Sequence, residues 1–175
     1  MAENVVYLMR CLPACGKSYT ARKLAADQGV VLETDEYFLT QVGQDPTKFD
    51  WSDALLPLAQ RWNFERFQLA LGQRRSPIVV NRGNGLNAAT QRYARLAIEH
   101  GYRVELREPD SDWWREIREL LTDKSANQRA LDQWASRLAE LSRTTHRVPV
   151  TTIRSWMQAW RSDLTVEQIL ACEPG

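Results

Sequence analysis

Short apolar runs alternate with longer stretches of helical spacing along the first two thirds of the chain. Val5-Val-Tyr-Leu-Met9 ends at a turn and predicts a buried strand. Lys17 to Asp27 predicts a helix, with Gly29 just past its end. Val30 to Leu32 predicts a second strand, residues 43–50 a loop, and Trp51 to about Gln73 a helix carrying Leu55, Leu58, Trp62, Phe67 and Leu71 on its apolar stripe. Pro77 to Val80 predicts a third strand, 86–100 a helix closed by Gly101, and Tyr102 to Leu106 a fourth strand. After Pro109 the spacing is helical throughout, over about 112–122, 125–142, 150–161 and 165–171. Strands that alternate with helices imply an α/β fold, a parallel sheet with right-handed crossovers. The expected organisation is a single domain over 1–175, with an α/β core at 1–110 and a helical lid region at 111–175.

Composition narrows the class. The chain has 175 residues, 43% of them hydrophobic and 26% charged, which is globular and long enough for a real core. The net charge of +1 excludes a polybasic protein, so a nucleic-acid site would have to be a local patch. Three cysteines, Cys11, Cys15 and Cys172, are too few and too irregular for a disulfide framework or a zinc site. No apolar run has membrane-spanning length and no charged segment precedes an apolar stretch at the start, so the expected setting is the cytoplasm, without membrane contact.

The candidate chemistry lies between the first strand and first helix, in Arg10-Cys-Leu-Pro-Ala-Cys-Gly-Lys-Ser18. Gly16, Lys17 and Ser18 match the end of a phosphate-binding loop, G-x-x-x-x-G-K-[S/T], in its strand–loop–helix setting. Such a loop wraps β- and γ-phosphates with backbone N–H groups at a helix N-terminus. Pro13, Ala14, Cys15, Gly16, Lys17, Ser18 and Tyr19 are therefore the candidate nucleotide-binding residues. Lys17 would neutralise phosphate charge and Ser18 would place its hydroxyl on Mg²⁺. The first glycine of the pattern is Cys11 here, and a side chain there would restrict the turn or narrow access to the phosphates.

Three further features follow. Glu33-Thr-Asp-Glu-Tyr-Phe38 comes directly after the second strand, where ligands of open α/β sheets bind. Asp35 there could take the proton of an attacking hydroxyl, and Thr34 or Asp35 could equally be a helix N-cap. Asn81-Arg-Gly-Asn-Gly85 follows the third strand, with an amide at Asn81 where an Asp would help hold Mg²⁺, so weaker metal affinity is expected. From Leu141 to Ser162 the chain holds Arg143, Arg147, Arg154 and Arg161, with no acidic residue, beside Trp156 and Trp160. The tryptophans suit a core, whereas Arg143 or Arg147 suits a lid arginine that steadies a transferring phosphoryl group.

Together these pieces resemble the polynucleotide 5′-hydroxyl kinase-like branch of P-loop kinases, which includes the kinase-like domain of ubiquitin-ligase-binding proteins. R-G-L-P-G-S-G-K-S is similar to Arg10–Ser18, with Cys11 and Ala14 at glycines and Cys15 at Ser. S-T-D-D-Y-F is similar to Glu33–Phe38, A-H-x-W-N to Ala59–Asn63 with Gln60 at the His, and V-D-N-T-N to Val80–Asn84 with only the outer positions kept. Y-R-V-x-x-R-E-P-D is similar to Tyr102–Asp110, and R-N-x-H-G-V-P to Arg143–Pro149. The resemblance implies a three-layer P-loop NTPase fold and transfer of the ATP γ-phosphate, with Mg²⁺, to the 5′-hydroxyl of a polynucleotide. It also implies Lys17 and Ser18 on nucleotide and metal, Asp35 as base and Arg143 as the lid arginine. A small metabolite or nucleoside acceptor, and a nucleotide-binding module with little turnover, are the competing readings.

Overall fold

The computed structural model describes residues 2–41, 53–81, 88–145 and 147–171. The expected loop at 43–50 and the residues Arg82 to Gly85, His146 and Cys172 lie outside them. Four parallel strands, β1 (Val5–Met9), β2 (Val30–Glu33), β3 (Ile78–Asn81) and β4 (Arg103–Arg107), form one sheet in the order β2-β3-β1-β4. This is the α/β architecture of a P-loop NTPase, and each strand falls within two residues of its sequence expectation.

The order dictates which face each helix covers. The chain moves one way across the sheet from β1 to β2 and reverses for the steps to β3 and β4, so right-handed crossovers fall on opposite faces. Helix α1 (Lys17–Ala25) accordingly covers one face, where Ala21 and Ala25 pack with Met9 and Val79. Helices α3 (Leu56–Gly72) and α4 (Ala88–Glu99) cover the other, where Phe64, Phe67, Leu71, Tyr93 and Ala97 bury Val6, Leu8, Leu32, Ile78 and Val80. Alternate strand residues thus feed two separate clusters, as strand periodicity requires. Strand β4 at one edge carries Arg103, Glu105 and Arg107, with Glu105 paired to both arginines; such charge discourages edge-to-edge pairing.

A short helix absent from the periodicity reading, α2 (Glu36–Gln41), follows Asp35, with Phe38 buried beneath it. The expected long helix from Trp51 begins as a 3-10 turn at Asp53–Leu55 and becomes α-helical at Leu56. Beyond Pro109 come α5 (Asp112–Leu120), which runs into a 3-10 turn, α6 (Gln128–Leu141), α7 (Val150–Ala159) and α8 (Val166–Ala171).

Helices α5, α6 and α7 bury Trp114, Ile117, Leu131, Trp134, Leu138, Ile153, Met157 and Trp160 in one cluster, which also takes in Cys11, Leu12 and Cys15 of the loop after β1. Trp160 is core, as expected, and Trp156 packs at its rim. Arg10 is buried under this cluster, with its guanidinium 3.8 Å from the Trp160 ring centroid and Nη1 donating to Arg161 O at 2.9 Å. After α7 the chain returns to the sheet: Leu164 and Ile169 lie in the cluster with Tyr93 and Ala97. The last helix therefore packs with the α/β layers and not with the other three.

Candidate functional site

The loop after β1 heads to α1 on one face, while the chain after β3 heads to α4 on the other. Since β1 and β3 are neighbours, their carboxyl ends open a crevice at this switch point, where open α/β sheets place ligands. Met9 and Asn81 are paired across it, and residues 10–16 form its wall.

The loop is shaped by its carbonyls. Ser111 Oγ donates to Cys15 O at 2.8 Å, and Trp113 Nε1 donates to Ala14 O at 3.0 Å. Cys11 Sγ and Cys15 Sγ donate to the carbonyls of Leu12 and Pro13, and Gly16 O accepts from Thr20 N. Five successive carbonyls are therefore drawn to the protein side. A peptide plane carries its N–H opposite its carbonyl, so the amides are turned the other way. Among the described residues, no backbone N–H from Ala14 to Tyr19 has a protein acceptor. Buried or half-buried amides seldom stay unpaired. This row of free N–H groups ends on α1, whose N-cap Gly16 sits at φ 86°, ψ 19°. It is an anion cradle with a helix dipole behind it.

The structure also answers which former glycine needs to be one. Cys11 is absent from the positive-φ residues, and its side chain is buried in the helical cluster, so it neither strains the turn nor narrows the cradle. Ala14 takes φ 59°, a left-handed conformation that costs a residue with Cβ about 1–2 kcal/mol. Cys15 is likewise buried, so it offers the cradle a backbone amide and not its thiol. The neighbouring Cys11 sulfur, and then burial, hold the Cys15 thiol well above the ordinary thiol range.

Asp110 braces α1 from outside. It accepts from Lys23 Nζ at 2.9 Å and from Thr20 Oγ1 at 3.2 Å, and these bonds hold its carboxyl below the usual range. Glu108 accepts from Trp114 Nε1 and Arg118 Nε. Burial lowers the Arg10 guanidinium to about 10, with Glu108 opposing that shift. Sequence reasoning missed Ser111 and Trp113 as loop-holding residues. The motif ending at Asp110 stops directly before Ser111 and three residues before Trp113.

Lys17 and Ser18 stand half-buried in the first turn of α1, and Tyr19 beside them is 66% exposed. Ser18 Oγ accepts from Asn81 Nδ2 at 3.1 Å. Asn81 Oδ1 is buried and has no partner among the described residues. A serine hydroxyl, and an unpaired amide oxygen on the side chain that hydrogen-bonds it, are hard-oxygen donors of the kind that suits Mg²⁺ or its water shell. Asp35, half-buried, directly precedes α2 at the carboxyl end of β2.

The four arginines from Arg143 to Arg161 differ in their partners. Arg143 at the end of α6 is 74% exposed and pairs with Glu140 one turn back at 3.2 Å. Arg154 pairs with Asp132 and Arg161 with Asp163. Arg147, at φ 51° in the connection to α7, has no carboxylate partner among the described residues. A further groove of about 260 Å³ lies between the first turns of α3 and α4, lined by Gln60, Arg61, Phe64, Arg92 and Tyr93. The Arg92 guanidinium stacks 3.7 Å from the Phe64 centroid. Both helices begin on the carboxyl side of the sheet.

Comparison with known proteins agrees with this architecture. The sequence pattern of a family described as an AAA domain matches residues 6–148, well over half of the chain. Human NEDD4-binding protein 2 is 37% identical over 113 residues, which is 63% of this chain and 6% of that protein. The chain belongs to this AAA-domain family of P-loop, kinase-like nucleotide-binding proteins. No helix among the described residues is long and apolar enough to cross a membrane.

Proposed function

We propose that this family member binds ATP with Mg²⁺ and transfers the γ-phosphate to a hydroxyl acceptor, the 5′-hydroxyl of a polynucleotide. The observation that carries the phosphate half of this reading is the run of unpartnered amides from Ala14 to Tyr19, with Lys17 and Ser18 at its end. The groove lined by Arg61 and Arg92 supports an anionic acceptor. The spaced motifs from Arg10 to Pro149 support the same acceptor.

In this reading the free amides and Lys17 hold the β- and γ-phosphates, and Ser18 and Asn81 hold the metal. Mg²⁺, when bound, supplies charge neutralisation at the phosphates. Asp35 accepts the proton of the acceptor hydroxyl as its oxygen bonds to the γ-phosphorus and the bond to the β-phosphate oxygen breaks. Arg143 is the arginine that the motif suggests, but Glu140 holds it. Arg147, free of such a partner and on the same connection, is better placed to meet phosphoryl charge. Helices α5 to α7 share a buried cluster with the loop, which ties the helical region to the phosphate cradle.

The test is transfer of labelled γ-phosphate from ATP with Mg²⁺ to 5′-hydroxyl DNA and RNA oligonucleotides. Label is expected on the oligonucleotide, abolished by Lys17→Ala and by Asp35→Asn, with ATP binding retained in the latter. Label on small hydroxyl metabolites alone would replace the acceptor. The Glu140 hold on Arg143 favours one second reading, a nucleotide-binding module; ATP binding with no labelled product from any acceptor would establish it.

A further inference from the structure

Strands β2 and β3 pair in parallel, with Leu32 opposite Val80 and Glu33 opposite Asn81. Glu33 and Asn81 therefore project from the same face, the one α1 covers, and at the end nearest Ser18. Asn81 Nδ2 donates one hydrogen to Glu33 Oε1 and the other to Ser18 Oγ. An ionised carboxylate only accepts, so the amide nitrogen must face Glu33 and the orientation of Asn81 is forced. Its Oδ1 is then left buried, with no partner among the described residues. Such an atom costs roughly 1–3 kcal/mol unless a donor or cation meets it. Glu33 itself is half-buried and has no cationic partner among the described residues. The neighbouring arginine, Arg66, is taken by Glu36 at 2.7 Å.

We infer that Glu33 is the negative charge behind Ser18 at the metal side of the phosphate loop, with Asn81 as its link. The charge that an aspartate at 81 would bring is then not lost; it stands one strand over, and the amide between them positions Ser18 Oγ. Glu33 is in this sense a positioning residue for the metal. The inference rests on the Mg²⁺-nucleotide reading above. It corrects one expectation of that reading, that an amide at 81 weakens the metal site.

The experiment measures ADP binding by calorimetry in EDTA, and Mn²⁺ binding to the protein–ADP complex by electron paramagnetic resonance. The variants are Glu33→Gln, Asn81→Asp and the double variant, each checked for a native melt. Glu33→Gln keeps an acceptor for Asn81 and removes only the charge. It is expected to leave metal-free ADP binding within twofold and to weaken Mn²⁺ about tenfold. The double variant, which moves the carboxylate to 81, is expected to recover most of that loss. Equal loss of ADP affinity with and without metal would make Glu33 merely structural and overturn the inference. So would unchanged Mn²⁺ affinity in Glu33→Gln, or a double variant as weak as that single one. Failure of the wild type to bind ADP under either condition would sink the nucleotide reading itself, and the inference with it.

Discussion

Replacing Ser111 by Ala should damage the molecule twice, in ways that can be measured apart. Its hydroxyl accepts from Trp114 N at 3.3 Å, as the N-cap of α5, and donates to Cys15 O at 2.8 Å. Loss of a serine cap costs about 1 kcal/mol, and loss of one hydrogen bond to a buried carbonyl about another. A total of ~2 kcal/mol should lower the melting temperature of a chain this size by roughly 4–8 °C. The second effect is on the cradle. Cys15 C=O and Gly16 N–H share one peptide plane, so the bond from Ser111 sets where the Gly16 amide points. An N–H that is no longer held toward a charged phosphate forfeits about 1.5–3 kcal/mol, so ADP should bind at least about tenfold more weakly. Ser111→Asp separates the effects, because a carboxylate can cap α5 but cannot donate to Cys15 O. It should recover most of the melting temperature and none of the affinity. Thermal melts and ADP calorimetry on the three proteins make the comparison. An alanine variant that melts low yet binds ADP like the wild type would refute the claim that this hydroxyl orients the loop.

Ala14→Gly should raise stability by about 1 kcal/mol, because φ 59° no longer opposes a Cβ; a shift of roughly 2–4 °C in a thermal melt checks it, and no rise would show that the loop carries no strain there. In a Cys172→Ser background, Cys11 and Cys15 should react with iodoacetamide at pH 8 at least ~100-fold more slowly in the native protein than in urea, since both are buried and the Cys15 thiol is held protonated. Mass spectrometry reads this directly, and rapid native labelling would mean that the helical cluster opens off the loop. Arg147→Ala should lower kcat for phosphoryl transfer about 100-fold or more, as loss of a transition-state cation does, and Arg143→Ala less than tenfold because Glu140 already occupies it. The opposite ranking in single-turnover kinetics would return the role to Arg143.

What could be read before folding divides along a physical line. The four strands and the helices α1, α3 and α4 were legible because each buries a periodic apolar face, and periodicity is a property of consecutive residues. Helix α2 was not, since six residues give no period, and it holds its place by burying Phe38. Nor was the return of α8 to the sheet, because an amphipathic pattern shows that a face will be buried and not which partner buries it. The same limit governs the site. Gly16-Lys17-Ser18 is a contiguous signal and stood out. The substitution at Cys11 looked like the costly one, but the positive φ falls on Ala14, and a pattern of glycines does not say which of them needs that region. That Asn81 bonds to Glu33 could not be read either, because the two are brought together by the register of two strands, 48 positions apart in the chain. Residues that act alone could be recognised singly. Residues that act through a neighbour, such as Ser111 on Cys15 or Glu33 on Asn81, became visible only once the sheet order had set those neighbours side by side.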